Sequence, residues 1–122
     1  MSVTLRAVIL DCPDPAALAG FYASMLELPI PDPDEEWVDL AVDGVTLSFQ
    51  KVDSYEPPTW PDGVPQQAHL DLSVPAYAEA HDRALALGAT PLDPTGPVGT
   101  EAGRGYRVYS DPAGHPFCLC LS

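Results

Sequence analysis

The feature that most narrows the possible folds is an order of elements that runs once from Leu5 to Lys51 and starts again at Gln67. Leu5 to Asp11 is rich in β-branched and aliphatic residues, which predicts a strand stopping at Cys12-Pro13-Asp14-Pro15. Asp14 then has the place of an N-cap, its carboxylate accepting from the free amides of the first turn, with Pro15 at N1 where no N–H is missed. In the helix that follows, Leu18, Phe21, Tyr22, Met25 and Leu26 fall at i, i+3, i+4, i+7 and i+8, an apolar stripe that has to lie against a sheet. Pro29 to Asp34 break it. Trp37 to Val42 and Val45 to Lys51 read as two strands joined at Asp43-Gly44, a dipeptide that supplies the positive φ angles of a tight hairpin.

From Asp53 to Pro65 the chain is Pro-rich and polar, as suits a connecting loop. The pattern then restarts. Gln67 to Val74 is expected as a strand, Pro75 to Leu87 as a helix ended by Gly88, and Ala89 to Leu92 as a short strand after a left-handed cap. Arg104 to Ser110 and Pro116 to Leu121 are two more strands, separated by the turn Asp111-Pro112-Ala113-Gly114. Identity between the halves is low, so the duplication rests on the order of elements. Two such units predict an α+β domain with helices on one face of a curved mixed sheet and a concave surface on the other.

Composition excludes several classes of partner. The 122 residues are 46% hydrophobic, enough for the core of one domain. Five Lys+Arg stand against 18 Asp+Glu, a formal charge of −13. No nucleic acid is expected, since neutralising phosphates needs clustered basic side chains, and the same charge repels anionic membranes. No apolar run approaches the ~20 residues of a membrane span, and the N-terminus lacks the pattern of a signal peptide, so a cytoplasmic chain is expected. Cys12, Cys118 and Cys120 are an odd count without a disulfide-framework spacing, and read as reduced thiols.

Strand parity gives the lining of the concave face. If Leu70, Leu72 and Val74 pack under a helix, His69, Asp71 and Ser73 look the other way. By the same alternation Leu47 and Phe49 oppose Ser48 and Gln50, and Phe117, Leu119 and Leu121 oppose Cys118 and Cys120. The first strand is apolar on both faces, Ala7 and Ile9 opposing Val8 and Leu10. Trp37 and Trp60 offer flat apolar area to wall a pocket, with Tyr106 beside them. Trp60 equally suits a lid over the core or a dimer contact. His81, between Ala80 and Asp82-Arg83, is expected to be solvated, and His115 to be a turn residue.

Asp14-Pro15 leading into Phe21-Tyr22, Gln66-Gln67-Ala68-His69 running on through Leu70-Asp71-Leu72, Leu87-Gly88-Ala89, and Asp111-Pro112-Ala113-Gly114-His115-Pro116-Phe117-Cys118 together span nearly the whole chain. In these stretches the sequence resembles the vicinal oxygen chelate superfamily of glyoxalase I, extradiol dioxygenases and bleomycin-resistance proteins, and especially its small glyoxalase-like members. The resemblance implies two βαβββ modules, 1–52 and 66–122, joined by a loop at 53–65, and a homodimer, swapped or unswapped. It also implies four metal-ligand positions, which fall here on Ala7, Gln50 (or Ser48), His69 and Cys118. Ala7 has no donor, and the missing carboxylates remove both the charge that holds a hard divalent ion and the base for proton abstraction.

Two readings of His69 stand. It is either a ligand-binding or catalytic imidazole, or a buried ring bonded to Asp71 or a carbonyl. Cys118 and Cys120, with His69 and Asp71, either form a soft zinc site or simply fill a strand. The functional reading is a glyoxalase-like protein with a degenerate metal site and no cofactor. It binds a small apolar or aromatic molecule through His69, Gln50, Ser48, Asp71, Cys118, Trp37 and Trp60. The alternative is a metal-dependent lyase, isomerase or dioxygenase whose non-standard ligands include His69 and Cys118. Whether a reaction is catalysed stays open at this point.

Overall fold

A computed structural model describes residues 2–122. Its elements are β1 (Ala7–Cys12), α1 (Pro15–Met25), β2 (Trp37–Val42), β3 (Val45–Lys51), β4 (Leu70–Val74), α2 (Tyr77–Ala86), β5 (Thr90–Asp93), β6 (Tyr106–Ser110) and β7 (Pro116–Leu121). The chain separates into two compact units, one ending at Tyr55 and the other beginning at Glu56. Each has its own mixed sheet, consistent with two βαβββ modules of which the first carries three strands among the described residues. No helix among those residues is long and apolar enough to cross a membrane.

In the first unit the strand order is β1-β3-β2, with β1 parallel and β2 antiparallel to β3. Asp14 caps α1 as its position requires, Oδ1 accepting from the Ala17 amide at 3.2 Å, with Pro15 opening the helix. Leu18, Phe21 and Tyr22 are buried, each contributing roughly 1.5–3 kcal/mol through the area it removes from water. Tyr22 stacks on Phe49 at 5.9 Å, which ties the helix stripe to the central strand. The β2–β3 hairpin turns through Asp43 and Gly44 with φ of 35° and 85°.

In the second unit the order is β4-β7-β6-β5, β4 parallel to β7 and the other pairs antiparallel. The helix α2 packs on β5 and β7. It closes as expected, with Gly88 at φ 102° and the Ala89 amide returning to the Ala84 carbonyl at 2.9 Å. Tyr109 stacks on Phe117 at 5.3 Å beneath it.

Several boundaries move. β4 starts at Leu70 rather than Gln67, because its ladder with β7 begins at Leu70 against Phe117 and the residue before Phe117 is Pro116, which has no N–H to give. His69 therefore sits just outside the strand. Ala76 is extended, so α2 begins at Tyr77 rather than Pro75. Ala89 is spent on the helix cap and β5 begins one residue later. β6 begins at Tyr106 rather than Arg104, whose guanidinium is drawn to Asp93 at 3.0 Å.

His81 is a correction. Expected in solvent, it is buried on α2 with Nδ1 2.7 Å from the Tyr109 hydroxyl. That hydroxyl accepts from Arg107 Nε at 2.9 Å. Arg107 is fully buried on the helix-facing side of β6 and pairs with Glu101 at 2.5 Å. It also donates to the carbonyls of Pro94, Gly96 and Pro97, so a single side chain fastens the segment between β5 and β6.

Candidate functional site

The second sheet sorts its side chains by parity. Leu70, Phe117 and Tyr109 share one register row, and the next row on the same ladder, Asp71, Cys118 and Val108, faces the opposite way. Ser73, Cys120 and Tyr106 form the following row on that open face. His69, exposed just before β4, places Nε2 3.3 Å from Oδ1 of Asp71. Cys118 is the register partner of Asp71, with its sulfur within 4.8 Å of the carboxylate, and Cys120 lies two residues on along the same face. Asp71 is thus the hub of this face.

The chemistry of the thiols follows from their surroundings. Burial first, then the negative charge of Asp71, pushes Cys118 up to about 11, and the same causes raise Cys120. Both stay protonated at neutral pH. A thiol kept protonated is a poor nucleophile, because the thiolate is the reactive form. The arrangement of Cys118, Asp71 and His69 therefore does not activate sulfur.

Beside this hub lies a pocket of about 190 Å³ lined by Trp60, Gln66, His69, Tyr106, Val108, Pro116 and Cys118. Trp60 reaches it from a loop closed by Thr59. The Thr59 amide donates to the Val64 carbonyl at 2.8 Å, and its Oγ1 accepts from the Val64 amide at 2.8 Å while donating to the Asp62 carbonyl at 2.7 Å. The Arg104 guanidinium lies over the Tyr106 ring, 4.6 Å from its centre. The Oε1 of Gln66 is buried without a hydrogen-bond partner.

Of the residues singled out from the sequence, His69, Cys118 and Trp60 line this pocket, and Asp71 braces His69 and Cys118 from beside it. Gln66, Val108 and Pro116 were not foreseen. Val108 follows from the β6–β7 register, whereas Gln66 precedes the strand, where parity carries no information. Trp37, Ser48 and Gln50 belong to the first unit, where Trp37 pairs with Gln50 and Asp39 with Ser48 across β2 and β3. Ser48 does not stand open as expected. It is 1% exposed and donates to Asp39 at 2.6 Å, and Trp37 Nε1 donates to the same oxygen at 2.6 Å. The Ser48 bond, then that of Trp37, holds the Asp39 carboxyl below its ordinary value.

The donor set can be tested against the divalent ion that the family resemblance implies. Ala7 offers nothing, the Ser48 hydroxyl is committed to Asp39, and Gln50 is a neutral amide. These residues do not fit the implied four-ligand site. His69, Asp71 and Cys118 do bring ligand atoms within 4.8 Å of one another. That trio would have to give up the thiol proton that Asp71 retains.

The family model for the glyoxalase-like domain matches residues 7–120, so the chain belongs to the glyoxalase-like family. Comparison with curated proteins found no match. Among solved structures, a glyoxalase-related enzyme from Fulvimarina pelagi is similar at 20% identity and a TM-score of 0.70, over 98% of this chain and 88% of that one. Oxidase ChaP-H2 is 22% identical over 100% of this chain and 95% of its own, with a TM-score of 0.70. A glyoxalase/bleomycin resistance protein/dioxygenase family enzyme from Burkholderia phytofirmans PsJN is 17% identical over 98% of each chain, with a TM-score of 0.68. These likenesses establish a glyoxalase-like fold.

Proposed function

We propose that this protein binds a small apolar or aromatic molecule in the pocket of its second unit, without a resident divalent ion. The carrying observation is the pocket wall, in which Trp60, Tyr106, Val108 and Pro116 outnumber the polar Gln66, His69 and Cys118. Such a lining, mostly apolar with a few placed polar groups, is the usual make-up of a ligand site. Size points the same way. A cavity of about 150 Å³ is enough to take up benzene, so a pocket of about 190 Å³ suits one ring or two fused rings.

The test is a titration with single- and double-ring aromatic compounds, followed by NMR at the side chains of Trp60 and His69. Saturable shifts at both, weakened at least tenfold in Trp60→Ala, support the reading; shifts that spread over the surface without saturating overturn it.

A second reading is a metal-dependent lyase, isomerase or dioxygenase, favoured by the approach of His69, Asp71 and Cys118. Metal analysis of protein purified without chelator separates the two. Stoichiometric zinc, nickel, manganese or iron that is lost in His69→Ala supports the second reading and overturns the first.

A further inference from the structure

We propose that the pocket selects ligands carrying an N–H or O–H donor, received by the side-chain oxygen of Gln66. The proposal rests on the small-molecule reading above and adds a chemical requirement to it. Gln66 lines the pocket, and its Oε1 is shut off from solvent with no partner. Buried polar atoms in folded proteins nearly always have a partner, and an unmet acceptor on a residue that lines a cavity is a group that a donor held there satisfies. The terminal torsion of a glutamine side chain is broad, so the amide turns toward an incoming ligand at little cost.

The neighbouring polar groups do not pair with this oxygen. His69 Nε2 is turned to Asp71, and the Cys118 thiol lies beside the same carboxylate. Trp60, Tyr106, Val108 and Pro116 supply the apolar wall. A ligand without a donor therefore leaves the Gln66 oxygen unpaired, whereas one with a donor pairs it once the amide turns toward the ligand. The Asp71 carboxylate beside the pocket and the net charge of −13 disfavour anions. The class defined is a neutral or cationic planar molecule of one or two rings with an N–H or O–H on its edge.

Indole and benzofuran test this, because they have nearly the same shape and differ in the ring N–H. Affinities are measured by NMR titration against the wild type, Gln66→Met and Gln66→Glu, each first checked for a native spectrum. The wild type is expected to prefer indole by about tenfold, the difference a well-made buried hydrogen bond provides. Gln66→Met, of similar length but apolar, should bring the ratio close to one by weakening indole, and Gln66→Glu, which keeps an acceptor, should retain the preference. Equal affinities in the wild type, or an undiminished preference in Gln66→Met, overturn the donor requirement while leaving the aromatic pocket standing. Binding of neither compound overturns both.

Discussion

His81 Nδ1 and the hydroxyl of Tyr109 meet at 2.7 Å beneath α2. The same hydroxyl oxygen accepts from Arg107 Nε at 2.9 Å, which brings a fixed positive charge close to the imidazole. Burial, then the charge of Arg107, holds His81 below its ordinary value of 6.5. The sign follows: above pH 6.5 the imidazole is neutral in both states, and as pH falls below 6.5 the unfolded chain takes up the proton that the folded one refuses. Stability is therefore lost progressively from about pH 6.5 downward, until the lowered folded value is reached. Melting temperatures across pH 5 to 8 should fall toward acid in the wild type and stay flatter in His81→Gln. Parallel profiles in the two proteins would contradict this. The carboxylates of Glu101, held low first by Arg107, and Asp39, held low first by Ser48, act only below their ordinary values of 4.5 and 3.8, outside this window.

Arg107 carries the heavier load. Its guanidinium, 0% exposed, is met by Glu101, the Tyr109 hydroxyl and the carbonyls of Pro94, Gly96 and Pro97. Arg107→Met keeps the stem but leaves the buried Glu101 carboxylate without its cation and takes the donor away from the carbonyls of Pro94, Gly96 and Pro97. Breaking a buried ion pair on one side costs about 3–5 kcal/mol, a large share of the ~5–15 kcal/mol that holds a domain folded. Urea unfolding should show a loss of that order, with faster proteolysis between Asp93 and Gly105. Arg107→Lys should recover little, since an ammonium cannot span so many acceptors at once. A loss below about 1 kcal/mol for Arg107→Met would mean the network is not structural.

At the pocket, Asp71 is predicted to keep the thiols inert. Asp71→Asn removes the charge but not the burial, which is the first cause of the Cys118 shift. Its titration, followed as thiolate absorbance in a Cys120→Ser background, should move down from about 11 without reaching the ordinary thiol value. Alkylation of Cys118 near pH 8 should quicken about three- to fourfold for each unit moved, the tenfold gain in thiolate being partly offset by its lower nucleophilicity. An unchanged titration would show that Asp71 does not govern the thiol.

What the sequence carried and what it withheld divide along a physical line. Local rules sufficed where one residue decides a backbone conformation: Asp14 and Pro15 at the start of α1, Asp43-Gly44 in the hairpin, Gly88 behind α2. Alternation also held on β4 and β7, so that Asp71, Cys118 and Cys120 share the open face. It also set the face of Ser48, opposite Asp39 and away from Phe49, but it carries no information on cover, and the bond to Asp39 on the neighbouring strand goes with a Ser48 that is buried. The His81–Tyr109–Arg107–Glu101 network was invisible, because charged letters on an amphipathic pattern read as solvent-facing unless the partners that bury them are known. Gln66 was hidden for another reason: it stands in irregular chain, where no period assigns a face.

The loop that brings Trp60 to the pocket is seated on the turn before β7, and glycines report on that seat. Gly114 has φ 89°, and a Cβ there would come 2.7 Å from Cβ of Pro57. Gly44 has nearly the same conformation, φ 85°, but a Cβ there meets nothing within 4 Å. Alanine at either site incurs the left-handed backbone penalty of about 1 kcal/mol. Only at Gly114 must a proline also be displaced, and the overlap is with a ring rather than the end of a flexible side chain. Gly114→Ala should therefore cost about 1–2 kcal/mol more than Gly44→Ala in urea unfolding and alter the emission of Trp60, which Gly44→Ala should leave as it was. Equal losses, with Trp60 undisturbed in both, would mean that Pro57 yields freely and that the turn does not set the position of the pocket wall.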